Sequence, residues 1–109
     1  KLNNWITRDN VDLILTTGGT GIGPRDVTPE AVKSVIDYEI PGVAEAFRSC
    51  GRLNTRYAIL SRSVVGVSSK TLVVTFPGSP NGVKDSLAVL KPILEHTINL
   101  IQGKTDHNN

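Results

Sequence analysis

Two short apolar runs, VDLILTT (Val11–Thr17) and TLVVTF (Thr71–Phe76), each stop at a glycine-rich loop that leads into a helix signal. Neither run alternates cleanly between apolar and polar, which suits strands covered on both faces. The order strand, helix, strand, helix then points to an α/β fold: a three-layer α/β/α sandwich around a mostly parallel sheet. Sheets of this kind usually hold about four to six strands, so the chain is expected to be an N-terminally incomplete fragment. The absence of methionine and the start at Lys1 point the same way.

The helix signals are local. Leu2, Trp5 and Ile6 have helical spacing ahead of the first strand. Thr28-Pro29-Glu30 reads as a helix start, with Thr28 as N-cap, proline in the first turn and an acid at the positive end. Its apolar stripe is Val32, Val35 and Ile36, and Ile40-Pro41-Gly42 is expected to end it. Val43 to Cys50 reads as a second short helix closed by Gly51. In YAILSRSVVGV a short strand is expected at Ala58–Leu60, followed by a bend, and Ser68-Ser69-Lys70 turns the chain into TLVVTF. The last helix places Val83, Leu87, Leu90, Leu94, Ile98 and Ile101 on one stripe, with Ser79 and Pro80 able to cap it. Pro92 removes one backbone hydrogen bond within that stripe and predicts a kink or break. One domain over 1–103 and a frayed tail over 104–109 are expected.

Composition narrows function mainly by exclusion. Twelve Lys plus Arg against 10 Asp plus Glu give a net charge of +2, with the basic residues scattered. No nucleic-acid partner is expected from that balance. No apolar run approaches the roughly 20 residues of a membrane-spanning helix, so no membrane partner is expected either. The single cysteine, Cys50, cannot form an internal disulfide, which favours a reducing, cytoplasmic setting.

In an open α/β sheet, ligands bind beyond the carboxyl ends of the strands, where both glycine-rich loops fall. The first loop has Gly18, Gly19, Gly21 and Gly23, with Thr16, Thr17 and Thr20 as hydroxyl donors. Glycines allow backbone amides to approach a phosphate closely. The loop fits neither GxxxxGK[ST] nor GxGxxG. Asp26 can hold Mg²⁺ beside a triphosphate, or can cap the following helix and pair with Arg25. The second loop, Pro77-Gly78-Ser79-Pro80-Asn81-Gly82, suits an anion or a flat ring, or is a capped turn. No histidine adjoins either loop to activate a hydroxyl. His96 is expected at the surface or its boundary, His107 in the tail and Cys50 half-buried. Arg62, flanked by serines on a strand edge, is either a phosphate contact or an ordinary surface arginine.

The runs TTGGTGIGPRDVTPEAV, IPG (Ile40–Gly42), LSRSVVGV (Leu60–Val67) and TLVVTFPGSPNGV together closely resemble the molybdopterin adenylyltransferase family. The G domains of gephyrin and of plant molybdenum-insertion proteins are similar too. The resemblance covers Leu2 to Gly103 and implies molybdenum cofactor biosynthesis: Mg²⁺-dependent transfer of AMP from ATP to the terminal phosphate of molybdopterin, releasing pyrophosphate. It implies a homotrimer and hand-off of the product to a molybdenum-insertion protein. Residue by residue, it implies that Gly19, Thr20 and Gly21, with Gly18 before them, lie near the phosphates, and that Asp26 is catalytic and positions Mg²⁺. It puts Ser61 on the pterin side and Pro77, Gly78 and Ser79 across the cleft. Thr75 stands where relatives often have Asn, which either alters a ligand contact or keeps the strand polar. The family's first strand and a second functional aspartate precede the point matching Lys1. A non-catalytic molybdopterin-binding paralogue or a trimeric scaffold domain is the alternative.

Overall fold

The computed structural model describes residues 10–104. The helical turn expected at Leu2, Trp5 and Ile6, His107, and the expected tail beyond Lys104 lie outside them. The described residues form β1 (Leu13–Thr17), α1 (Thr28–Lys33), β2 (Tyr38–Glu39), α2 (Pro41–Gly51), a 3-10 turn (Arg56–Leu60), β3 (Val65–Ser68), β4 (Thr71–Phe76) and α3 (Pro80–Ile101). The strands make one sheet in the order β1-β4-β3-β2.

The layers follow from the period of two along β4, all six residues of which are buried. Leu72, Val74 and Phe76 share a core with Val65 and Val67 of β3, Ala44 and Phe47 of α2, and Leu90 of α3. Phe47 and Phe76 meet edge to face at 5.7 Å between ring centroids. On the opposite face Val73 packs with Ile14, Val64 and Val32 of α1. Helices therefore cover both faces, as the α/β sandwich reading requires.

The sheet is mixed. β1 and β4 pair in parallel, with Leu13 opposite Leu72 and Thr17 opposite Phe76. β3 and β4 are antiparallel, as are β2 and β3. The antiparallel content exceeds what continuous apolar strands suggested, because Ser69, at φ 53°, closes a tight turn between β3 and β4.

Three local expectations differ from the structure. α1 ends at Lys33 rather than near Ile40: Ser34 Oγ donates to Ala31 O at 2.6 Å, and the chain then leaves to form β2. Asp37 and Ile40 amides reach Val67 O and Val65 O, each at 2.7 Å. This pairing depends on Gly66, where a Cβ would stand 2.7 Å from Tyr38 O and 2.6 Å from Ile36 Cδ1. Ala58–Leu60 is not a strand but part of the 3-10 turn; Thr55 Oγ1 accepts the Tyr57 amide at 3.3 Å and Ala58 packs over Gly51. The third strand lies at Val65–Ser68 instead. Finally, α3 runs unbroken through Pro92. Pro92 and Ala88, whose carbonyl loses its partner, both face solvent, so water can satisfy that group. Ser79 Oγ caps α3 by accepting the Gly82 amide at 3.0 Å, as expected.

Thr75 has an internal role. It is 0% exposed, and its hydroxyl accepts from Val64 N at 2.7 Å and donates to Val64 O at 3.0 Å. The polar side chain thus ties the chain entering β3 to β4. A Thr75→Val variant is expected to lose about 1–3 kcal/mol, since the buried Val64 amide loses its acceptor. Urea midpoints check this, and an unshifted midpoint would show the bridge to be dispensable.

Candidate functional site

Both glycine-rich loops emerge from the same end of adjacent parallel strands. Gly18 N donates to Phe76 O at 3.0 Å, which extends the β1–β4 ladder to the loop entrance. Gly18 and Gly19 then adopt φ of 87° and 71°, the left-handed region where a Cβ is costly. Gly18 faces Gly78 so closely that a Cβ on Gly78 would lie 3.3 Å from Gly18 Cα. The two loops therefore meet backbone to backbone.

The first loop folds back on itself. The Gly23 amide donates to Asp26 Oδ2 at 2.8 Å, and the Asp26 amide donates to Gly23 O at 3.0 Å. Thr28 is not the N-cap expected from its position: Val27 precedes the helix, and no side chain among the described residues caps it. Thr28 Oγ1 instead donates to Gly18 O at 3.0 Å, and its amide donates to Gly19 O at 3.1 Å. Its hydroxyl holds the loop rather than the helix.

Between the loops and the 3-10 turn lies a cleft of about 560 Å³. Gly19, Thr20, Gly21, Asp26, Ser61, Pro77, Gly78 and Ser79 all line it. Gly18 does not; it sits at the junction with Gly78. Thr16 and Thr17, read as hydroxyl donors, also lie outside the lining. Thr16 Oγ1 is buried and has no hydrogen-bond partner among the described residues. Ser61 and Ser63 bring their hydroxyls to 3.1 Å of one another.

Two expected contacts resolve differently. Among the described residues Asp26 forms no ion pair with Arg25; the one ion pair is Arg62–Glu30, at 2.6 Å. Arg62 does not line the cleft, so it is not placed to touch a phosphate there. His96 is exposed and Cys50 half-buried, both as expected.

Some lining residues carried no sequence signal. Arg48, beside the core residue Phe47, is the one Lys or Arg among the described lining residues; its Nη1 reaches Ser61 O at 3.4 Å. Asn54 donates to both carboxylate oxygens of Asp85, at 3.0 and 2.8 Å, across a separation of 31 residues. Arg48 was legible only as a cation next to an apolar helix stripe. The Asn54–Asp85 pairing had no local pattern at all.

A divalent cation finds little resident coordination here. Among the described residues no group of three His, Cys, Asp or Glu side chains converges. Asp26 Oδ2 is engaged by Gly23, and Oδ1 has no donor among the described residues. One carboxylate edge in a roomy cleft fits a Mg²⁺ shared with substrate phosphates, since that ion commonly takes only one or two protein carboxylates.

Hydrogen bonding from Arg62 holds the Glu30 carboxyl below its ordinary value of 4.5, against an opposing desolvation. A depressed folded value means that the pair's contribution is present above about 4.5 and is lost as pH falls through the lower folded value. Glu30→Gln is therefore expected to lose less stability than wild type between about pH 6 and about pH 3. The difference is small because Glu30 is 58% exposed. Urea midpoints at both pH values check it; parallel losses would show that the pair contributes no net stability.

A family model described as "probable molybdopterin binding domain" matches residues 2–96. The molybdenum cofactor synthesis protein cinnamon of Drosophila melanogaster is 40% identical over 101 residues, covering 93% of this chain and 17% of that protein. A molybdopterin adenylyltransferase of Helicobacter pylori is 39% identical over 92 residues, covering 84% of this chain and 52% of that one. The solved structure of the molybdopterin biosynthesis enzyme MoaB from Thermus thermophilus superposes with a TM-score of 0.86 at 48% identity, covering 94% of this chain and 65% of that one. The Mog protein of Mycobacterium ulcerans superposes at 0.89 with 46% identity, covering 92% and 65%. The chain thus spans less than two thirds of each of these relatives.

Proposed function

The chain belongs to the probable molybdopterin binding domain family, and on that premise we propose that its protein acts in molybdenum cofactor biosynthesis as a molybdopterin adenylyltransferase. The reaction joins the terminal phosphate of molybdopterin to the α-phosphorus of ATP. A phosphate oxygen forms the new P–O bond, the bond between the α-phosphorus and its bridging oxygen breaks, and pyrophosphate leaves. The observation that carries the reading is the convergence of both glycine-rich loops on one cleft that also holds Asp26 and Arg48.

This chemistry asks the protein for positioning and charge neutralisation rather than a nucleophile. Among the described lining residues there is no His, Cys or Lys. In the proposed complex Gly19, Thr20 and Gly21 bind phosphate through backbone amides, and Arg48 offsets negative charge at the opposite wall. Ser61 orients the pterin, and Pro77, Gly78 and Ser79 close the far side. Asp26 would hold Mg²⁺ together with triphosphate oxygens, and the ion when bound supplies charge neutralisation. A homotrimer and delivery of the adenylylated product to a molybdenum-insertion protein complete the proposal.

The test is single turnover of the full-length protein with Mg-ATP and molybdopterin, following adenylylated product and pyrophosphate. Formation of both in equal amounts supports the reaction. Tight molybdopterin binding with no product would replace it with a binding-only role.

A further inference from the structure

We infer that Arg62 is a positioning residue for the glycine loop: it shapes the cleft through the backbone of residues 20–26 without touching a ligand. For the reaction affected, the inference rests on the adenylyltransferase reading; the loop geometry stands apart from it.

Arg62 sits between Ser61 and Ser63, which line the cleft, while Arg62 itself does not. Its amide donates to Thr20 O at 2.7 Å. Its Nε donates to Gly21 O at 2.8 Å and its Nη2 to Asp26 O at 2.6 Å. Nη1 donates to Glu30 Oε2 at 2.6 Å, and Nη2 also reaches Glu30 Oε1 at 3.4 Å. One residue thus anchors both ends of the segment that carries Gly21 and Asp26, and then the helix behind it.

Such a segment needs an external anchor. It is rich in glycine, so ordering it costs more conformational entropy than ordering an average loop. Within the loop the bonds are the reciprocal pair between Gly23 and Asp26, and Thr28 fixes only its root at Gly18 and Gly19. The planar guanidinium reaches two carbonyls in fixed directions at once, while Glu30 holds its outer edge. A lysine keeps the charge but offers a single ammonium on a flexible stem, which cannot reproduce the fork. All three side-chain nitrogens of Arg62 already donate within the protein, which accounts for its absence from the cleft.

The test uses the full-length protein and amide exchange by NMR. In Arg62→Lys, the Gly23 amide, which donates to Asp26 Oδ2, is expected to exchange at least about tenfold faster, with the Val73 and Val74 amides of β4 unchanged. Unchanged Gly23 exchange in the folded variant overturns the inference. So does an equal acceleration in β4, which would mark a merely structural role. If Arg62→Lys does not fold, the wild type decides: its Arg62 Nε–H is expected to exchange at least about tenfold more slowly than that of exposed Arg52, and equal rates overturn the inference. In single turnover, Arg62→Lys is expected to be about tenfold to a hundredfold slower, as a misplaced loop implies. A wild-type rate retained in Arg62→Lys overturns the positioning role. Faster Gly23 exchange alone, with no product even from wild type, leaves the loop inference standing and sinks the reaction instead.

Discussion

An Asp26→Asn variant of the full-length protein is expected to form adenylylated product at least about a hundredfold more slowly than wild type in single turnover, the size expected from losing one preorganised charge interaction. The substitution is nearly isosteric. Its side-chain oxygen can still accept the Gly23 amide that Asp26 Oδ2 accepts at 2.8 Å, so the loop keeps its fold while the charge disappears. Rate and fold are thereby separated, which removal of the whole side chain would not allow. Half-saturation should also move to higher Mg²⁺ in the same variant, because the proposed reaction has Asp26 share the ion with the triphosphate. Unchanged circular dichroism, together with a rate within tenfold of wild type, would remove Asp26 from the chemistry and leave it as a loop cap.

Leu90→Ala is expected to lower the unfolding free energy by about 2–5 kcal/mol, the range for a large-to-small change in a closed core. Leu90 is 1% exposed and is the point where α3 enters the core shared by Phe47, Phe76, Val65 and Leu72. Against a total stability of about 5–15 kcal/mol for a small domain, that is a large fraction. Leu100 on the same helix is 55% exposed, and Leu100→Ala is expected to stay within about 0.5 kcal/mol of wild type. Urea denaturation of the three proteins checks both values. Equal losses at the two positions would mean that α3 does not pack on the sheet as described.

Local patterns in the chain account for a good part of the fold. β4 occupies the six residues of the TLVVTF run, and Ser79 caps α3 as its place before Pro80 suggests. The elements that local pattern misplaced depend on distant partners. β2 exists because Gly66, some 28 positions further on, leaves room for Tyr38 O and Ile36. The segment read as a strand at Ala58–Leu60 curls into a 3-10 turn because Ala58 packs over Gly51. The candidate site shows the same division. Its glycine loops, Asp26 and Ser61 were visible as motifs, whereas Arg48 and the Asn54–Asp85 pair come to the cleft only through the packing of α2 on α3. Arg62 was legible as a cation beside serines, but the carbonyls that occupy its guanidinium lie 36 and 41 residues earlier, so its direction was not.

The backbone contact between Gly18 and Gly78 turns the sheet into a ruler for the cleft. The loops leave neighbouring parallel strands, which stand about 4.8 Å apart, and where they touch they do so through the backbones of Gly18 and Gly78. Their separation is therefore set by the hydrogen-bonded ladder of β1 and β4 and by the Gly18 N to Phe76 O bond at its end. A Cβ on Gly78 would stand 3.3 Å from Gly18 Cα and act as a shim, spreading the two walls while leaving every polar side chain of the cleft in place. Selectivity for a ligand that must engage both walls can thus be lost by a change in spacing alone.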